Sequence, residues 1–272
     1  MLKRYVNKWK RSLNAKTFYS IKEHPNFFFN TLLFDFLFLI SLYYTNLLVK
    51  LSLPTEESLK ADMGLALIFF LLTIAYLLFL VFIYSFLKYC ILDFIKTLVD
   101  LSWKFKKTIR EKRFGLGRFF KFYLLNLIIF ISFFVIFIIL NAIYLFSVKQ
   151  EHLKIAFLLT MIPLFIFIYV YLNLTHSLFT TGHNLKETIK KGLVLFKQIK
   201  PYYGILIFSI FVFFVYTLIL FIINLIITSS TSVNILVYNK IFTVITTIVF
   251  YLIIAFNRIY FYIMIDIAKE NE

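Results

Sequence analysis

The sequence is poor in the residues on which soluble domains depend. It has one cysteine, Cys90, in 272 residues, which excludes an intramolecular disulfide and a cysteine-rich metal site. Charged residues make up only 15% of the chain, whereas a soluble domain has about 25%. Acidic residues are scarcer than basic ones, with 13 Asp and Glu against 29 Lys and Arg. This composition excludes a soluble globular fold.

Glycine is also rare, and familiar catalytic motifs are missing. None of the six glycines lies deep inside an apolar run, which excludes close helix packing of the GxxxG kind. The sequence has no HExxH or GxSxG motif. His176 and His183 are seven residues apart, with no carboxylate at ligand spacing. We therefore expect no catalytic residue, no metal and no cofactor, and the sequence favours a protein that is not an enzyme over one that is.

Long apolar runs fill most of the chain instead. The sequence is 62% hydrophobic, and a bilayer core of about 30 Å needs roughly 20 apolar residues per helix. Because the runs are continuous and do not alternate with polar residues, they predict helices and not barrel strands. The predicted fold is an all-α membrane protein with six transmembrane helices. The runs are Phe27–Val49, Gly64–Leu87, Phe119–Val148, Ile155–His176, Gly204–Thr228 and Ile241–Ile265.

Basic residues concentrate on one side of these runs. Seven precede the first run, ten lie from Lys88 to Lys121, and five lie from Lys186 to Lys200. The three opposite connections together hold five. Because cytoplasmic loops carry an excess of Lys and Arg, the sequence predicts a multi-pass protein of the cell membrane with both termini in the cytoplasm.

Three basic segments show the periodicity of amphipathic helices. Apolar residues recur at spacings of three and four from Ile91 to Ile109, and a shorter pattern runs from Leu2 to Leu13. After Asn184 the predicted apolar stripe is Leu185, Ile189, Leu193 and Phe196. Asn184 and Glu187 have the spacing of a reciprocal helix cap. Each pair of spans is thus predicted to follow a cytoplasmic amphipathic helix.

The pairs of spans also resemble one another. Asn126 and Asn141 are fifteen residues apart in one pair, as are Ser209 and Asn224 in another. We therefore expect one integral membrane domain, 1–272, with like-oriented repeats of about 1–88, 89–177 and 178–272.

A family resemblance points to the same architecture. The segment Asn184–Phe208 and the ending Asn257-Arg258-Ile259-Tyr260 resemble prokaryotic six-span membrane proteins, including the membrane domain attached to some glycerophosphodiester phosphodiesterases. The resemblance implies three helix pairs, each preceded by an amphipathic helix. It implies no catalytic residues, because the soluble phosphodiesterase domain has no counterpart in this sequence.

Two charged residues lie deep inside apolar runs. Asp35 is eight residues into the first run, about 12 Å from its end, and Arg258 lies at a matching depth in the sixth. An ionised side chain near mid-membrane costs about 2.5–3.5 kcal/mol on insertion scales, and pairing offsets part of that cost. We therefore predict that Asp35 and Arg258 meet.

Other polar residues fall at a comparable depth and predict a polar layer. Its predicted members are Asp35, Asn126, Asn173, His176, Ser209, Asn257 and Arg258. The layer has two interpretations: a hydrophilic cavity for a headgroup, ion or small solute, or interhelical hydrogen bonding of about 0.6 kcal/mol per contact.

The basic faces predict contact with anionic lipid on the cytoplasmic side, since each basic residue near such a surface contributes about 1 kcal/mol. The residues expected to face lipid are Lys104, Lys106, Lys107, Arg110, Lys112, Arg113, Lys186, Lys190 and Lys191. No nucleic-acid partner is expected, because no aromatic and basic platform lies outside the apolar runs. The predicted function is lipid interaction or scaffolding. The alternatives are a transporter or permease subunit for a small or amphipathic solute, and a lipid-modifying enzyme.

Overall fold

The computed structural model describes residues 12–52, 63–103, 115–147, 150–197, 203–228 and 235–270. Eight helices and no strand occur in these residues. In chain order the helices are α1 (Leu13–Glu23), α2 (Pro25–Ser52), α3 (Met63–Trp103), α4 (Leu116–Ser147), α5 (Gln150–Thr180), α6 (Leu185–Phe196), α7 (Tyr203–Thr228) and α8 (Ile235–Glu270).

Six of the helices are long and apolar enough to cross a membrane. They are α2, α3, α4, α5, α7 and α8. α1 and α6 have 11 and 12 residues and are too short to span a hydrocarbon core of about 30 Å. The predicted all-helical chain with six apolar spans is therefore confirmed.

Successive spans pack antiparallel. Contacts at two levels join α2 to α3, α4 to α5, and α7 to α8. These contacts are Phe38–Tyr84 and Asn46–Tyr76, Phe122–Phe179 and Tyr144–Ala156, and Ser209–Asn257 and Tyr216–Thr246. The starts of α2, α4 and α7 and the ends of α3, α5 and α8 thus share one side, called the basic side below. The opposite ends form the far side.

The core lies almost entirely in the half of the bundle next to the basic side. Its centre is the second half of α8, where Ala255, Ile259 and Tyr262 contact α2 and α3, and where Phe261 and Ile265 contact α5 and α7. In the most apolar stretch of each span, 56% of residues are buried in α8, against 6–17% in the other five. α8 is therefore the central helix.

The far half of the bundle is packed much less. It comprises residues 36–52, 63–80, 130–147, 150–169, 206–228 and 235–254. Of the side chains described in these segments, only those of Tyr144 and Met161 are buried. Large apolar side chains such as Leu72, Leu159 and Phe214 are more than 60% exposed there. The spans therefore hold together near the basic side and make few close contacts beyond it.

The second predicted amphipathic helix is not a separate element. α3 is one helix of 41 residues, about 60 Å long at 1.5 Å per residue, and so extends well beyond a bilayer core. Ile91 and Leu98, predicted to lie on the membrane surface, are buried against α2 and α8. The rest of that segment and the N-terminal arm before Ser12 lie outside the described residues.

The short helix α6 docks against α5 through small residues. Gly182, at φ 104°, ends the preceding helix, and the Asn184 N–H donates to Glu187 Oε2 at 3.4 Å, as the predicted cap requires. Thr188 and Gly192 are the residues of α6 that are buried. Of the predicted apolar stripe, Leu185, Ile189 and Phe196 pack against the core, whereas Leu193 is 47% exposed. The docking face therefore includes most of the predicted stripe, and the small residue Gly192 permits the closest approach of α6 to α5.

Candidate functional site: a buried polar layer

The predicted contact between Asp35 and Arg258 is present. Arg258 Nη1 lies 2.8 Å from Asp35 Oδ1 and 2.7 Å from Oδ2. Both side chains are largely shielded, with 10% of the arginine and 5% of the aspartate exposed. The pair joins α2 to α8, so that the first span closes against the sixth. Because each charge compensates the other, neither is left alone inside the membrane.

A second group joins three helices around Asn257. Ser209 Oγ donates to Asn257 Oδ1 at 3.2 Å, and Asn257 Nδ2 donates to the Tyr169 hydroxyl at 3.0 Å. The Asn257 amide thus ties α8 to α7 and α5. Asn173 Nδ2 donates within its own helix, to the carbonyl of Tyr169 at 2.8 Å. All of these side chains have partners, as interhelical hydrogen bonding requires.

A third group is a chain of hydrogen bonds across α3, α4 and α5. Ser85 Oγ donates to the Val81 carbonyl at 2.6 Å, and Asn126 Nδ2 donates to Ser85 Oγ at 3.0 Å. Asn126 Oδ1 lies 2.7 Å from His176 Nε2. Because this amide oxygen can only accept, Nε2 must carry the proton. In a neutral ring with this tautomer, Nδ1 is an acceptor.

His176 Nδ1 has no hydrogen-bond partner among the residues that the structure describes. The side chain is 1% exposed and lies between the rings of Tyr84 and Phe122, with centroids 6.3 Å and 5.0 Å away. A buried acceptor without a partner costs about 1–3 kcal/mol. This nitrogen is therefore one of two unsatisfied groups in the layer.

Lys88 is the other, and the sequence interpretation did not include it in the layer. It is 6% exposed and lies within electrostatic range of Asp35, Arg258 and His176. In the described part of the chain, no hydrogen bond or ion pair reaches its ammonium group. Asp35 and Arg258 already neutralise each other, so neither is left to compensate a charge on Lys88.

The position of Lys88 could have been inferred from the sequence. Val81, Ser85, Lys88, Leu92 and Ile95 are all buried, and their spacings of three and four residues put them on one helical face. The apolar run was ended at Leu87 because a lysine follows. The uninterrupted helical periodicity across Lys88 was the signal that the span continues.

The structure brings six of the seven predicted members of the layer into the packed half of the bundle, and Ser209 lies just beyond it, near the start of the far half of α7. Asp35, Asn126, Asn173, His176 and Asn257 are buried, while Ser209 and Arg258 are half-buried. They form separate bonded groups, each satisfied except at His176 Nδ1. Among the described residues, no three His, Cys, Asp or Glu side chains are grouped to hold a metal ion.

The structure describes only three of the nine basic residues that were predicted to face anionic lipid. Lys104, Lys106, Lys107, Arg110, Lys112 and Arg113 lie outside the described residues. Lys186 and Lys190 are exposed on α6, and Lys191 Nζ lies 3.2 Å from His183 Nε2.

Arg118 is a further basic residue that sequence reasoning counted only for its charge. Its Nη2 donates to the carbonyls of Phe179 and Thr180 at 3.0 and 3.1 Å. The guanidinium also lies 5.7 Å from the centre of the Phe179 ring. Arg118 thus caps the end of α5, where the helix dipole favours a cation, and fixes it beside the start of α4.

No protein-family model matches this chain, and no curated protein or solved structure is detectably similar to it.

Proposed function

We propose that this chain is a non-enzymatic integral membrane protein that binds lipid between its spans. The observation that carries the proposal is the uneven burial of the spans. A packed half contains the polar layer, and above it the spans expose apolar side chains along most of their length. Acyl chains fit that environment, because lipid tails are as apolar as the side chains that they would contact.

α7 shows this exposure of apolar side chains most clearly. From Leu206 to Leu225 none of its described residues is buried, and Ile210, Phe211 and Phe214 are each more than 60% exposed. In the far half, α7 is tied to α8 by the hydrogen bond between Tyr216 and Thr246. A bound acyl chain would supply dispersion contacts that neighbouring helices do not supply.

The proposal includes the predicted orientation and repeats. With the basic side in the cytoplasm, both termini are cytoplasmic and the exposed lysines of α6 face anionic headgroups. The three helix pairs are then like-oriented repeats within one membrane domain. Whether they match the membrane domain attached to some glycerophosphodiester phosphodiesterases stays a prediction.

One observation favours the transporter alternative. Asp35, Lys88 and Arg258 are ionisable groups within the spans, and such residues often mark solute pathways. Transport requires a continuous wet path past these residues. Uptake of a labelled amphiphile into liposomes containing the purified protein would favour transport over binding alone.

The test of lipid binding is retention. The full-length protein is purified from its membrane, exchanged into lipid-free detergent and examined by native mass spectrometry. We expect lipid to remain bound. Removal of the lipid should lower the melting temperature, and its re-addition should restore it, because a ligand stabilises the state that binds it. A protein that keeps no lipid and gains no stability from any added lipid would contradict the proposal.

A further inference from the structure

The unsatisfied groups of the polar layer define a ligand chemistry. Most polar side chains in the layer have hydrogen-bond partners within the bundle, and those of Asp35, Asn126, Ser209, Asn257 and Arg258 bond between helices. The exceptions within the described residues are His176 Nδ1, a buried atom without a partner, and Lys88 Nζ, for which no hydrogen bond or ion pair is found there. Both residues are more than nine-tenths buried, and His176 Nδ1 is itself shielded from bulk water.

These two groups are linked through neighbouring side chains. Ser85 and Lys88 are three residues apart and share a face of α3. Ser85 is linked through Asn126 to His176. His176 is also within electrostatic range of Lys88, and the ring of Tyr84, one turn before Lys88, lies beside the imidazole.

The two groups make opposite demands on a ligand. The Lys88 ammonium has only donors, so it needs an acceptor, preferably an anionic one. The neutral His176 ring, with its proton fixed on Nε2 by Asn126, needs a donor at Nδ1. A ligand that satisfies both must carry an anionic oxygen and a hydroxyl hydrogen a short distance apart.

We propose that Lys88 and His176 bind a singly protonated phosphomonoester. Its charged oxygen accepts from Lys88 Nζ, and its P–OH donates to His176 Nδ1. A simple phosphodiester has the charge but no P–OH, so it satisfies only the lysine. This inference rests on the proposed lipid binding and deepens it, because it names the headgroup class that the layer selects.

The test compares headgroups that differ in the P–OH alone. Phosphatidic acid and phosphatidylmethanol with the same acyl chains are added to the delipidated full-length protein at pH 6. At this pH roughly half of the phosphomonoester groups are singly protonated. Native mass spectrometry measures the bound fraction. We expect phosphatidic acid to bind at least about tenfold more tightly, since a hydrogen bond to a charged group is worth that factor or more.

Two variants assign the preference to the named groups. Lys88→Met keeps the length of the side chain and removes the cation, and it should lower phosphatidic acid affinity by about tenfold or more. His176→Gln keeps a donor for Asn126 but has no acceptor at the Nδ1 position, and it should abolish the preference for the monoester. Lys121→Met, an exposed lysine on α4, is the matched control and should leave both affinities unchanged.

The outcomes separate the possible failures. Equal binding of the two lipids by the wild-type protein, or a preference unchanged in both Lys88→Met and His176→Gln, overturns the phosphomonoester site but leaves lipid binding intact. If neither lipid binds, the proposed function is overturned as well. Addition of inorganic phosphate alone distinguishes the source of the group. Stabilisation by phosphate that depends on Lys88 would assign the site to the free anion, whereas stabilisation only by the lipid assigns it to a headgroup.

Discussion

Asp35 and Arg258 are the two residues whose separate loss should damage the protein most. Each is a buried charge whose compensation is the other, and removal of one partner from a buried pair costs about 3–5 kcal/mol. Asp35→Arg and Arg258→Asp should each lower the yield and melting temperature of the purified protein, and the double reversal should recover much of the loss. A double variant no more stable than either single variant would contradict the pair.

Lys88 should behave in the opposite way. Its charge has no described counter-ion, so its burial costs stability that pairing does not return. In ligand-free detergent, Lys88→Met should therefore melt at a higher temperature than the wild-type protein. A lower melting temperature in the absence of ligand would show that Lys88 is paired with a residue outside the described part of the chain.

The contact between Asp35 and Arg258 could be predicted from the sequence, whereas the burial of Lys88 was not predicted. Asp35 and Arg258 were predicted to meet because a charge inside an apolar run is conspicuous and its depth can be counted. Lys88 lies where the apolar run seems to end, so its charge was assigned to the membrane surface. The orphaned Nδ1 of His176 could not be predicted, because it depends on Asn126 and Ser85 from two other helices.

Among the helices, the contact of α6 with α5 is the one most sensitive to side-chain volume. A Cβ added at Gly192 would lie 2.7 Å from Thr175 Cγ2 and 3.3 Å from the Tyr171 ring. Gly192→Ala should therefore destabilise the protein by about 1–3 kcal/mol, the usual cost of overpacking, despite the higher helix propensity of alanine.

Gly117 is the matched control for that prediction. A Cβ at this position of α4 has nothing within 4 Å. Gly117→Ala should be neutral or stabilise the protein by up to about 1 kcal/mol, as the helix propensities predict. Thermal unfolding of both variants measures the difference, and equal effects at the two positions would show that α6 does not dock closely on α5.

The positions of the apolar spans were largely predictable from the sequence, whereas the closest contact of α6 and the full length of α3 were not. The six apolar runs matched the six spans because continuous hydrophobicity of this length is a strong signal. In the predicted apolar stripe of α6, Leu185, Ile189 and Phe196 pack inward and Leu193 does not. The closest approach, at Thr188 and Gly192, was not predicted. α3 was divided in two because a basic, periodic segment also fits a helix on a membrane surface.

For the whole molecule, the charge distribution predicts one topology. Glu56 lies in the connection between the first two apolar runs, opposite the basic segments. In a variant with Cys90→Ala, Glu56→Cys should react with a membrane-impermeant maleimide in intact cells. A cysteine at Lys186 should react only after the cells are opened. The reverse pattern would place the basic side outside the cytoplasm and remove the predicted contact with anionic lipid of the inner leaflet.

The loose packing of the far half is a property of the whole bundle, and it cannot be predicted from the hydropathy of the sequence. Residues that face lipid and residues that face another helix are equally apolar, so the sequence cannot show where spans separate. Only the burial pattern does, with Tyr144 and Met161 as the buried residues described beyond the polar layer. This separation is the basis of the proposed lipid binding.

Photocrosslinking of retained lipid tests that proposal most directly. A lipid with a diazirine in its acyl chain is incorporated, the full-length protein is exchanged into lipid-free detergent, and light is applied after loosely bound lipid has gone. Labelling should fall on the far halves of α7 and α8, at residues 206–228 and 235–254, and unlabelled lipid should compete for it. No retained label, or label that unlabelled lipid does not displace, would contradict lipid binding between the spans.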